Sequence, residues 1–449
     1  MQTAEIIPLA PAAFPGIKNR MEVFLLKLTV NPAGDGFLSD GRPFFYLADT
    51  CWSAFTNAAP EEWEEYLDFR KKQGFNALQI NILPQWDRSE TRLSLLPFAA
   101  GPDGKYDYFH PDESYFARAQ RFLETAVERG FLPALAVLWC DHVPGTWASR
   151  LMPDHIMPLE AVEPYAAYAA EKFSRFHPVY LVSGDTNFET PEAVKYYVTA
   201  LETIKSVSPD ALTTLHLSGG LTDLPEELEV SPLLDFYMYQ SSHGRNDQHL
   251  AYEMAEAFYR KAVKRPVING EPCYEGHGFG NEYGRFSAFD VRKAVWSSLL
   301  SGAKAGAAYG AHGVWSFHKK GDFFPSEAFS GTPFPWRTAL RLPGAEDMSF
   351  ARRLFEGWGL ADLEPAYRLT DGSPEIRTAA AKDGSKIAVY IPYAAEVKIG
   401  AAFGGLDWTL VDLRNRRFQK PDITVSPGKT DIGMYDGNGD VLVVGRRLP

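Results

Sequence analysis

The chain has 449 residues, 45% hydrophobic and 23% charged, a balance that excludes wholesale disorder. Its 45 Lys and Arg against 57 Asp and Glu leave a formal charge of −12 with no basic block, which argues against nucleic acid and anionic membrane surfaces as partners. Three cysteines, Cys51, Cys140 and Cys273, cannot build a disulfide framework, and no apolar run reaches the roughly 18 residues that a membrane span needs.

The first 20 residues lack a basic leader, and Pro8, Pro11 and Pro15 break their apolar stretch. They read as a loose lead-in rather than an export signal, so a cytoplasmic address is expected. Residues 23–30 and 36–42 read as a β-hairpin that closes the floor of the next domain. Eight apolar, β-rich runs follow at 43–50, 76–83, 132–139, 179–185, 213–218, 235–240, 266–271 and 307–317. Near-continuous apolar runs indicate strands buried on both faces, as in a parallel sheet.

Helical patterns lie between the runs. Residues 60–72 open with Pro60, carry Trp63, Tyr66 and Leu67 on one face, and stop before Gly74. Residues 115–129 end at Gly130. Thr190 caps a helix from Pro191 with a stripe of Val194, Tyr197, Val198, Leu201 and Ile204. Residues 159–173, 250–264, 289–300 and 348–357 are the other helical segments, and only a stub at 225–228 separates the fifth run from the sixth. This alternation predicts an α/β fold, a (β/α)8 TIM barrel over residues 43–360 preceded by the hairpin region 1–42. A doubly wound open sheet is the rival, but the first run ends in Ala48-Asp49-Thr50-Cys51-Trp52 without a phosphate-binding glycine loop. Beyond residue 361 short strand patterns alternate with turns such as Asp383-Gly384 and Gly404-Gly405, which predicts a small β-sandwich over 361–449. Trp408 and Tyr435 are the large aromatics expected on its surface.

A barrel of this kind carries its site at the carboxyl ends of its strands. The chain places there Asp49 and Trp52, then Asn81 and Trp86, then Trp139, Asp141 and His142. Asp185, Asn187, His216, Tyr239, Gln240, Glu271, Tyr274, Glu275, Tyr309 and Trp315 follow. Gln85, Glu189, His243 and His312 lie at the same ends. Each alone could be a strand cap or a core aromatic. Together, aromatic faces, carboxylates and amides suit a sugar ring and its hydroxyls. Asp185 in VSGDTN and Glu271 in INGEP end the fourth and seventh strands, across the barrel mouth from each other. Glycoside hydrolysis needs such a pair, one carboxyl protonated and one ionised. Asp185 is the expected acid; its other possible role is a helix cap before Pro191.

The segments VSGDTN, NGEPCYEG, ADTCW and YGAHGVWSF resemble the apiosidase-like domain, glycoside hydrolase family 140, over residues 43–357. The tail resembles that family's collagen-binding-type β-sandwich. The resemblance implies a retaining mechanism, with Asp185 as acid/base and Glu271 as nucleophile, and exo-acting release of a terminal apiose-like pentose from plant-derived glycosides. The wider clan has Asn-Glu where this chain has Gly184-Asp185, which makes Glu189 a second candidate acid. Another furanosidase or β-glycosidase activity, and a non-catalytic sugar-binding barrel, are the alternatives. No metal site and no cofactor is expected, and the partner expected is a carbohydrate or glycoside. Gly276-His277-Gly278-Phe279-Gly280 reads as a lid beside Glu271.

Overall fold

The computed structural model describes residues 25–91, 95–102, 105–280, 282–437 and 439–448. The lead-in predicted for residues 1–20, and the start of the hairpin predicted at residue 23, lie outside them. Eight parallel strands form the centre: β1 (Tyr46–Thr50), β2 (Ala77–Asn81), β3 (Leu132–Trp139), β4 (Val179–Gly184), β5 (Thr213–Thr214), β6 (Tyr237–Gln240), β7 (Val267–Glu271) and β8 (Gly306–Tyr309). Their order, β5-β4-β3-β2-β1-β8-β7-β6, is that of a barrel with one seam. At the seam the Asp235 N–H donates to the Thr213 carbonyl at 3.0 Å, and the Thr214 hydroxyl to the Phe236 carbonyl at 2.7 Å. The eighth strand is much shorter than its sequence pattern: beyond it Ala311 keeps one parallel bridge to Glu275, and Gly313, with a φ of 122°, turns the chain away.

The helices that follow the eight strands are α1 (Pro60–Lys72), α2 (Glu113–Glu128), α3 (Leu159–Phe173), α4 (Pro191–Val207), α5 (Glu226–Glu229), α6 (Leu250–Tyr259), α7 (Ala288–Leu299) and α8 (Gly344–Gly357), with further four-residue helices at Ala54–Asn57, Glu327–Ser330 and Trp336–Ala339. They form because their apolar stripes recur at helical spacing and their ends are capped. Asp112 accepts from the Ser114 and Tyr115 amides, and Thr190 from the Ala193 amide. Side chains alternate along each strand. Tyr46 and Ala48 point into the barrel with Ala134, Ala136, Leu181, Met238 and Ala308, whereas Leu47 and Cys51 join the layer under the helices. Three short antiparallel strands, Leu28–Val30, Phe37–Ser39 and Arg42–Phe44, precede β1. Phe37 packs edge-on against Phe236, at the start of β6, with ring centroids 5.2 Å apart.

The last part of the chain is all antiparallel. A six-stranded sheet, centred on Lys386–Ile391 and Val441–Arg446, faces a four-stranded one containing Val397–Ile399 and Lys429–Ile432. Ile387, Val389 and Val443 fill the space between the sheets, while Ala388, Tyr390 and Val444 pack on the barrel side. Arg292 of α7 holds Asp440 through Nε at 2.9 Å and Asp347 of α8 through Nη1 at 2.7 Å. Trp408, expected at the surface, is 8% exposed, because it lies in the sandwich core beside Gly445. Tyr435 is partly buried and donates to Asp412 at 2.7 Å; Tyr393 and Phe418 are the exposed aromatics instead. Among the described residues no helix is long and apolar enough to cross a membrane.

Candidate active site

A pocket of about 480 Å³ opens at the carboxyl ends of the strands. Both Asp185 and Glu271 line it, with Trp52, Trp86, Trp139, Asn187, Gln240, Tyr274 and Trp315. The two strands deliver their carboxyl groups in different ways. Glu271 ends β7 with both oxygens occupied. Oε2 accepts from His216 Nε2 at 3.1 Å, and Oε1 from Gln240 Nε2 at 3.0 Å and His243 Nε2 at 2.9 Å. Burial alone would raise its pKa, but the hydrogen bonds donated by His216 and His243 outweigh it and hold the carboxyl well below the ordinary 4.5.

Asp185 follows β4 with a φ of 51°, a left-handed conformation that aspartate tolerates better than most side chains. Here the backbone is gripped. The Asp185 N–H donates to His216 Nδ1 at 3.2 Å, and its carbonyl accepts from Trp147 Nε1 and from the Ser218 hydroxyl, both at 2.8 Å. Burial and the Glu271 charge push its pKa up to about 7, against the opposing pull of His216, His243 and Ser218. Because His216 Nδ1 accepts from an amide, its neutral ring carries the proton on Nε2, the atom that serves Glu271.

Glycines let the aromatics close in. A Cβ at Gly184 would lie 2.0 Å from Cε3 of Trp139, and one at Gly310 would lie 1.9 Å from Cδ1 of Tyr274. The Gly184-Asp185 pair is thus explained locally: a larger residue before the acid would displace the Trp139 wall. Tyr274 accepts from Trp52 Nε1 at 3.0 Å, and Trp52 packs on Trp139 with centroids 5.1 Å apart.

Several residues read as substrate contacts lie elsewhere. Asp49 points outward to α1, where Arg70 Nε binds it at 2.7 Å and the Tyr66 hydroxyl at 2.6 Å. Tyr309 and Glu275 bond each other at 2.6 Å in the layer under the helices, and the Gly344 amide caps Glu275 at 2.8 Å. Tyr239 stacks on Phe258 of α6 and donates to the Ala251 carbonyl at 2.9 Å. Asp141 binds His155 Nδ1 at 3.2 Å, and His142 contacts the Tyr108 hydroxyl at 2.9 Å and the Pro84 carbonyl at 3.1 Å, so both brace the loop after β3. Asn81 lies inside the barrel and orients Gln85, donating to its Oε1 at 2.8 Å. His216 stands behind Glu271 rather than on the pocket wall. Glu189, the second candidate acid, accepts from the Trp147 amide at 2.8 Å and fixes the loop that carries this indole.

Sequence reasoning missed Asp87, Trp147, Ser218, Ser242 and Phe329, all of which line the pocket. Asp87 was accessible by the rule used for the others, a polar side chain just past a strand end. Trp147 and Phe329 come from long loops whose path has no short-range signal. The glycine-rich segment after Glu271 forms a hairpin of Gly278–Phe279 with Glu282–Arg285. Arg285 pins it through the Gly276 carbonyl at 2.6 Å and the Thr332 carbonyl at 3.0 Å, and His277 faces the pocket. The three cysteines are buried and free, and among the described residues no group of His, Cys, Asp and Glu is arranged to hold a metal ion.

The apiosidase-like catalytic domain matches residues 34–361. A solved glycoside hydrolase superimposes with a TM-score of 0.78 at 19% identity, covering 94% of this chain and 97% of its own. A family 5 glycoside hydrolase from Bacteroides vulgatus ATCC 8482 gives 0.78 at 20% identity over 94% and 93% of the two chains. A further glycoside hydrolase structure from the same organism gives 0.66 at 15% identity over 94% and 83%. At these identities the structures establish the shared fold, and no curated protein sequence matches the chain. With the family match spanning the whole barrel, the chain belongs to the apiosidase-like family of glycoside hydrolases.

Proposed function

We propose that the protein is a retaining, exo-acting glycosidase that removes a terminal pentose of the apiose type from plant-derived glycosides or oligosaccharides. The observation that carries this reading is the opposite proton affinity of two carboxyl groups in one pocket, Asp185 raised to about 7 and Glu271 held below its ordinary value. Ionised Glu271 attacks the anomeric carbon while neutral Asp185 gives its proton to the leaving oxygen. Asp185, now a carboxylate, then takes a proton from the water that displaces Glu271 from the sugar. An aromatic-walled pocket suits a chain end, and the family supplies the pentose.

The test is a panel of 4-nitrophenyl pentosides, including the apioside, with early products read by proton NMR. A first-formed sugar of unchanged anomeric configuration is expected; an inverted one overturns retention, and no turnover of any pentoside overturns the pentose assignment. Azide added to Asp185→Ala should restore turnover of an activated aryl glycoside and give a glycosyl azide of retained configuration. If Asp185→Ala keeps full activity without azide, the acid lies elsewhere.

A further inference from the structure

A third carboxyl group enters the pocket. Asp87 lies in the turn after β2, one residue past Trp86, and lines the same cavity as Asp185 and Glu271. Among the described residues no side chain hydrogen-bonds to its carboxyl group and no cation pairs with it. The charged neighbours that act on it are Asp185, Glu271 and Asp141, all acids, and these together with burial raise its pKa well above the ordinary 3.8. Asp87 is half-buried on the pocket wall, and the hydrogen bond that lowers its pKa comes from its own backbone amide rather than from another residue. Asp49 and Glu275 show the contrast: both are buried, and both have protein donors to satisfy them.

Among the unmatched polar atoms of residues that line this pocket are two N–H groups. Gln85 is 1% exposed; its Oε1 accepts from Asn81, which leaves the Nε2 amide hydrogens without a partner among the described residues. The indole Nε1 of Trp139 is likewise buried and unpaired there. Both residues line the cavity with Asp87. Two donors and one carboxyl group are what a pair of sugar hydroxyls would satisfy.

We infer that Asp87 is a specificity-determining residue that binds a hydroxyl of the glycone, with Gln85 and Trp139 completing a hydroxyl-reading wall. This rests on the glycosidase reading above and adds to it a residue outside the acid/nucleophile pair. It follows that the glycone must carry a free hydroxyl toward the turn after β2, and that a sugar deoxygenated there is rejected. Asparagine keeps the size and an acceptor oxygen of the side chain and can also donate, so it should largely replace aspartate at a hydroxyl contact.

The experiment pairs Asp87→Ala and Asp87→Asn with the best 4-nitrophenyl pentoside and each of its monodeoxy analogues. Expected for Asp87→Ala is a loss of roughly 100-fold or more in kcat/KM on the parent glycoside. On one of the deoxy analogues the variant and the wild type should agree within about threefold, because the contact is already gone. Asp87→Asn should stay within about tenfold of wild type. Equal losses on the parent and every analogue would overturn the inference, as would an Asp87→Ala enzyme as active as wild type. Calorimetric titration with apiose, arabinose and xylose separates the two readings. A wild type that binds a pentose without turning over any glycoside, beside an Asp87→Ala protein that does not bind it, sinks the catalytic reading and keeps this one. Equal binding by both proteins sinks this one, and a wild type that binds none of the three overturns it as well.

Discussion

The β4 and β7 walls of the pocket present the same functional group and hold it by opposite means. On β7 the protein holds the carboxylate of Glu271 itself, with His216, His243 and Gln240 donating to its two oxygens. On β4 it holds the backbone of Asp185, by its amide and its carbonyl. The first arrangement solvates a negative charge and keeps it ionised. The second fixes a position without solvating the charge, so the proton stays. His216 joins the walls: one ring nitrogen steadies the Asp185 amide and the other serves Glu271. The division of labour between two acids is therefore written in their neighbours rather than in their own identity.

The comparison breaks most severely if the charge on β7 is removed. Glu271→Gln should lower kcat/KM by about 10⁴-fold or more, since the nucleophile is lost. It should also undo the state of Asp185. The Glu271 charge raises the Asp185 pKa, so without it the value should fall from about 7 toward the ordinary 3.8. Carbon-13 NMR of labelled aspartate in the variant reads this directly. An unchanged Asp185 would mean that burial alone sets its protonation.

In wild type, kcat/KM should fall as pH rises through about 7, where Asp185 loses its proton, and fall again only in strong acid, where Glu271 gains one. His243→Ala removes one donor from Glu271, so its pKa should rise and the acid limb should move to higher pH, with a loss of roughly 10- to 100-fold. The limb near 7 should move much less. His216→Ala touches both walls, and both limbs should shift. A fall in kcat with both limbs unmoved would make these histidines mere packing.

Much of this was legible in the chain. The barrel follows from eight apolar runs, and α1 and α4 from stripes and end signals within a few residues. Glu271 and Asp185 stood out because a charged residue at the end of a buried strand has few structural uses. The misplaced residues share a physical cause. Successive strand residues face opposite sides, so Tyr239 and Gln240 cannot both enter the cup, and Asp49 falls on the outward parity of Leu47 and Cys51. A signal for Asp49 existed in α1: Arg70 continues the buried stripe of Trp63, Tyr66 and Leu67, and a buried guanidinium requires a carboxylate on the facing strand. For Trp147 and Phe329 there was no comparable signal, since long loops reach the pocket through tertiary packing alone. β5 is the exception among the early strands: the run expected over 213–218 pairs only at Thr213–Thr214, with a single further bridge from Leu217 to Thr186.

The smallest effect expected is on stability, and it has opposite sign on the two walls. A folded pKa of about 7 for Asp185, against an ordinary 3.8, means that the folded state keeps a proton that the unfolded chain gives up across that range. The stability this proton confers is complete below the ordinary value and is lost as pH rises to about 7. At ~1.4 kcal/mol per pKa unit, the loss at neutral pH has a ceiling of about 4 kcal/mol. Asp185→Asn cannot ionise, so its Tm should rise relative to wild type between pH 4 and 7 and then level. Glu271 is the reverse case. Its depressed pKa stabilises the fold above the ordinary 4.5, and that contribution fades as pH falls toward its folded value. Glu271→Gln should therefore be less stable than wild type at pH 7, with the gap closing in acid. Calorimetric scans of Asp185→Asn from pH 4 to 8 and of Glu271→Gln from pH 6 down to 2 give the two slopes. If they share a sign, the walls do not hold their carboxyl groups in opposite states.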